Sequence, residues 1–163
     1  LGQERCLALR ARHGADLLAG AVTLGEIAEL EEIRLALDAL TPSAHWITPE
    51  IFPKRFDTWF FLVPAPAGQE ASHDEVESVD SFWVSPDRIL AEEAAGIWRI
   101  VFATRLNLKQ LGESPSVAEA VEAARRRPIT PITPIVEKVE GGRVFRIPEE
   151  AGYGITEIVE TRN

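Results

Sequence analysis

The stretch from Ala44 to Phe61 limits the fold more than any other part of the chain. It reads Ala-His-Trp-Ile-Thr-Pro-Glu-Ile-Phe-Pro-Lys-Arg-Phe-Asp-Thr-Trp-Phe-Phe. Pro49 and Pro53 lack backbone donors and fix φ, so neither a helix nor a central strand can run through them. On the near side, His45 to Thr48 predicts a short strand. On the far side, Phe56 to Val63 is aromatic and β-branched and predicts a buried strand. Pro42 bars a preceding helix from continuing beyond Thr41.

Upstream the periodicity is helical. Glu4 to Leu18 predicts a helix with Leu7, Leu9, Ala11, Leu17 and Leu18 as its apolar positions and Gly20 as its stop. Thr23 and Glu26 form a capping box, and Val22 with Ile27 occupies the staple positions. Ile27, Leu30, Ile33 and Leu37 extend that second helix toward Leu40. Downstream, Pro64 to His73 reads as a loop and Glu77 to Val84 as a strand. Ser85 caps a helix with Pro86 at its first position, and Gly96 ends it.

Ile100 to Leu111 turns helical in its second half, and Ser116 with Glu119 opens another helix. That helix closes on Arg125, Arg126 and Arg127, whose charge suits a C-terminal dipole. Ile129 to Ile135 is too proline-rich for a central strand. Glu137 to Ile147 predicts a hairpin turned at Gly141-Gly142. The order predicts a mixed α/β or α+β fold, with residues 1–163 in one domain.

The formal net charge of -9 argues against a nucleic-acid partner, which needs a clustered positive face. It leaves room for a small phosphorylated substrate, which a few basic groups and a metal can hold. No run of apolar residues is long enough to predict a membrane span. Cys6 stands alone, so no internal disulfide or cysteine-based zinc site can form, and a reducing, cytoplasmic compartment is expected. With no methionine and a first residue Leu1, the chain is expected to be a fragment or a processed product.

Two groups of residues carry candidate chemistry. Arg55 and Asp57 share one side of an extended chain, because side chains alternate with period two. They suit either a phosphate with its counter-ion or a structural ion pair. His73-Asp74-Glu75-Val76-Glu77, with Asp80, crowds carboxylates around one imidazole. Such oxygen ligands suit Mg2+ or Mn2+, and a solvated acidic loop has the same composition. Glu149-Glu150-Ala151-Gly152 mimics the end of a phosphohydrolase helix, but Pro148 before it forbids a helix of the required length.

The strings Ala44 to Glu50, Arg55-Phe56-Asp57-Thr58 and Phe60-Phe61 resemble the downstream half of Nudix hydrolases. The similarity is greatest to the branch of coenzyme A diphosphatases. Glu77 ahead of Trp83-Val84-Ser85-Pro86, the string Thr104 to Leu108, and Pro148 to Tyr153 also resemble that branch. The resemblance implies a mixed sheet flanked by helices, incomplete at the N-terminus. It implies an intact enzyme that hydrolyses a nucleoside diphosphate-linked or coenzyme A-type substrate with Mg2+ or Mn2+.

On that reading Trp46, Arg55, Asp57 and Phe60 face the substrate, and Glu77, then Glu75, faces the metal. The Nudix box itself, which supplies the catalytic glutamates, is not found in this sequence. It is expected upstream of Leu1, so this chain alone is expected to be weak or inactive. The alternative is a non-catalytic Nudix-fold module that binds a ligand or a protein. Helices covering a gap in the sheet would also allow a homodimer.

Overall fold

A computed structural model of the chain describes residues 2–68, 73 and 78–161. The architecture is α+β, with five helices and two three-stranded sheets among the described residues. Contacts group the chain into two compact units, Leu1–Ala39 with Ala65–Ala71, and Leu40–Pro64 with Ser72–Asn163. No helix among the described residues is long and apolar enough to cross a membrane.

The first unit holds α1 (Gln3–Leu18) and α2 (Leu24–Leu30). The capping box at the start of α2 forms as expected. The Thr23 hydroxyl accepts from the Glu26 backbone N–H at 3.2 Å, and the Glu26 carboxylate accepts from the Thr23 N–H at 2.7 Å. The end of α2 differs from the sequence reading, which carried it toward Leu40. Glu32 adopts a left-handed φ of 53°, the Ile33 N–H donates to the Ala28 carbonyl at 2.7 Å, and the Glu32 N–H donates to the Glu29 carbonyl at 3.2 Å. This Schellman closure terminates the helix without its usual glycine. Leu30 and Leu37 are exposed in consequence, and Ile27 is the buried apolar residue of α2.

Glu31 ties the two helices together. Its carboxylate accepts from Arg12 and lies 2.6 Å from His13 Nε2, while its backbone carbonyl accepts from Arg5 at 3.0 Å. These contacts hold the Glu31 carboxyl below the usual carboxylate range, His13 contributing most and Arg12 next.

The second unit holds both sheets. β1 (Thr41–Ile47) lies between β2 (Asp57–Leu62), antiparallel to it, and β3 (Pro131–Ile132), parallel to it. β1 begins earlier than expected and includes Pro42. A register irregularity between Pro42 and Ala44 accommodates the missing donor, and Pro131 sits on a two-residue edge strand. The second sheet is a meander, β4 (Ile135–Val139), β5 (Gly142–Arg146) and β6 (Glu157–Thr161). Arg146 on central β5 joins both neighbours, 2.6 Å from Glu137 and 2.7 Å from Glu157. β6 was not foreseen in the sequence. The strand expected over Glu77 to Val84 is not formed in 78–84, and Glu77 itself lies outside the described residues.

Three helices complete this unit, α3 (Pro86–Ala94), α4 (Phe102–Gly112) and α5 (Val117–Arg126). Gly96, at φ 77°, closes α3 as expected. On α4, Phe102, Leu106 and Gln110 fall at spacing four and form its buried stripe. Leu106, only 1% exposed, joins Ala44, Trp46, Phe102, Ile132, Phe145 and Ile147 in the core. Trp46 meets Phe102 edge-on at 5.6 Å, and Phe102 stacks on Phe145 at 5.0 Å. Glu149–Ala151 forms a single 3-10 turn ended by Gly152 at φ 75°, so no long helix runs there.

Candidate functional site

The two strings that straddle the proline loop form one antiparallel ladder, with Trp46 opposite Thr58 and Ile47 opposite Asp57. Thr48 staples the loop between them. Its N–H donates to the Phe56 carbonyl at 2.9 Å, its hydroxyl accepts from the Phe56 N–H at 3.1 Å, and its carbonyl accepts from Arg55 Nε at 2.9 Å. Arg55 Nη1 lies 3.9 Å from the Glu50 carboxylate. Arg55 thus braces the loop and keeps the remainder of its guanidinium near the surface.

Alternation distributes the candidate residues over two faces of the ladder. Asp57 shares a face with Trp59 and Phe61, and the register sets His45 opposite Trp59. His45 Nε2 lies 2.5 Å from Asp57 Oδ1. A carboxylate offers only lone pairs, so the proton of this contact sits on Nε2. Trp59 stacks on the His45 ring at 4.3 Å and 14°, and Phe61 continues the stack at 6.5 Å. His45 is buried, whereas Trp59 and Phe61 are 49% and 47% exposed. The result is an open aromatic platform with a carboxylate at its edge. Asp57 pairs with His45 instead of forming the ion pair with Arg55 that the sequence allowed.

Trp46 and Phe60 occupy the opposite face. Trp46 is 5% exposed and belongs to the core. Its Nε1 donates to the Tyr153 hydroxyl at 3.2 Å, which in turn donates to Asn107 Oδ1 at 2.5 Å. The strings Thr104 to Leu108 and Pro148 to Tyr153 therefore meet through Asn107 and Tyr153. Burial raises the Tyr153 phenol above its ordinary pKa. Phe60 is half-buried and lines a groove of about 360 Å³ between β2, α4 and α5.

Glu75 and Glu77 lie outside the described residues, as does Asp74. Of their neighbours, His73 Nδ1 lies 3.2 Å from the Ser81 hydroxyl, and Asp80 accepts from the Ser81 N–H at 2.8 Å. Among the described residues, no three His, Cys, Asp or Glu side chains gather as a metal site.

In the sequence His45 is only part of a predicted short strand, and Trp59 carries no assignment. The parity of Asp57 and Trp59 was available in the sequence. The register that brings His45 to both of them was not. Comparison with protein families, with curated proteins and with solved structures finds nothing that matches this chain.

Proposed function

We propose that this chain supplies the substrate side of a Nudix-type pyrophosphohydrolase. The intact enzyme would cleave a nucleoside diphosphate-linked or coenzyme A-type substrate with Mg2+ or Mn2+. One observation carries this reading: the residues that resemble the family form a single strand pair on which the exposed Trp59 ring stacks over the buried His45, with Asp57 beside it. An exposed indole gives a nucleobase a stacking surface. Asp57 offers a second acceptor oxygen to a ribose hydroxyl, and Arg55 brings positive charge to the adjoining loop.

Glu77 and Glu75 are the carboxylates assigned to the metal side. The test is product release by the intact parent protein, with Mg2+, from a panel of coenzyme A and nucleoside diphosphate derivatives. Metal-dependent cleavage that falls in Glu77→Gln supports the reading. No phosphorylated product from any member of the panel overturns the enzymatic role.

The second reading is a non-catalytic Nudix-fold module. In its favour, β1 and β2 build the aromatic platform by themselves. Ligand binding without turnover in the intact parent protein would select it.

A further inference from the structure

We infer that the groove between β2, α4 and α5 binds a small amphipathic carboxylate, a medium-chain aliphatic acid, with its head on Arg127. This site is built on the Phe60 face of the ladder, with Phe61 also bordering it, and its ligand is independent of the function proposed above. The volume, about 360 Å³, falls in the lower range of small-molecule sites. Its walls are largely apolar, with Phe60, Leu108, Leu111 and Ala120 among them.

Arg127 supplies the specificity. Arg126 pairs with Glu122 at 3.0 Å, but Arg127, half-buried at the groove, has no carboxylate partner among the described residues. Guanidinium and carboxylate match in geometry and charge. Glu113 also lines the groove, whereas Arg127, Ser43 and Gln110 continue into a smaller adjoining recess that Glu113 does not reach. The anionic head therefore goes to the Arg127 end.

Asn107 also borders the groove, but its amide is held in the core and does not take part in the site. The indole N–H of Trp46 can only donate, so the Tyr153 oxygen accepts from it and gives its own proton to Asn107 Oδ1. That fixes the amide with Nδ2 as an N–H donor, buried and without a partner.

The test is calorimetric titration of the chain with octanoate and, separately, octanol, backed by NMR contacts from octanoate to the Phe60 ring. Octanoate is expected to bind with a Kd on the order of 1 mM or tighter. Arg127→Gln is expected to weaken octanoate by about tenfold while leaving octanol unchanged. Arg127→Lys, which keeps the charge and loses the fork, should recover part of the loss. Equal affinity for the acid and the alcohol, no binding of either, or octanoate contacts away from Phe60 would overturn the inference.

Discussion

His45 and Asp57 are held 2.5 Å apart across two strands, and the Trp59 ring lies 4.3 Å from the imidazole on the same face. The chain reverses direction at Pro49 to Lys54, and strand register then makes neighbours of residues twelve positions apart. A carboxylate and an indole are thereby fixed on one exposed face, over a buried imidazole.

Asp57→Asn keeps the shape and removes the charge from this contact. Asp57 is well exposed, so screening limits the loss of stability to about 1 kcal/mol or less. Thermal unfolding should show a shift of a few degrees at most. The Trp59 environment, read by fluorescence, should change more visibly because the neutral amide holds His45 less strongly than the carboxylate does.

Tyr153→Phe removes one oxygen that serves both Trp46 and Asn107. Both partners then stay buried and unsatisfied, so a loss of about 1–3 kcal/mol is expected in denaturant unfolding. In the unmodified chain the phenol pKa is raised in the fold. Stability from this group is full below the ordinary tyrosine pKa and is lost as pH rises through the raised one. Tyr153→Phe should flatten that alkaline limb.

Glu31 gives the opposite pH dependence. Its folded pKa is lowered by His13 and Arg12, so its contribution is full above the ordinary glutamate pKa. It is lost as pH falls through the lowered value. Hydrogen-exchange protection in α1 and α2, corrected for the intrinsic rate at each pH, should fall over that acidic window, and Glu31→Gln should remove the dependence.

Glu32 occupies a position that glycine adopts without strain. Glu32→Gly is expected to leave stability unchanged or to raise it by about 0.5 kcal/mol, since relief of strain offsets greater freedom in the unfolded chain. The same change in the middle of a helix would cost about 1 kcal/mol. Comparing Glu32→Gly with Ala11→Gly by thermal unfolding separates the two.

Local chemistry was legible in the sequence. Thr23, Ser85 and Ser116 cap their helices, and Gly96 ends one, because each of these effects acts within a turn of chain. The α+β class followed from the alternation of periods. The end of α2 was hidden because a glutamate, not a glycine, takes the left-handed position. β6 was hidden because Glu157–Thr161 becomes a strand only by pairing with β5. The four substrate-side candidates, Trp46, Arg55, Asp57 and Phe60, followed from the family resemblance, and strand alternation marked Arg55 and Asp57 by itself. Only the register shows that Trp46 and Phe60 turn away from the Asp57 platform.

The most direct measurement is calorimetric titration of ADP-ribose into the chain and into two variants, Trp59→Ala and Trp83→Ala. Trp83 is 75% exposed and lies outside the β1–β2 platform, so it serves as the control. Loss of one base-stacking surface should weaken binding by about tenfold or more in Trp59→Ala. Trp83→Ala should bind as the unmodified chain does. Absence of binding to the unmodified chain, or equal affinities for both variants, would contradict a substrate role for the His45–Trp59 face.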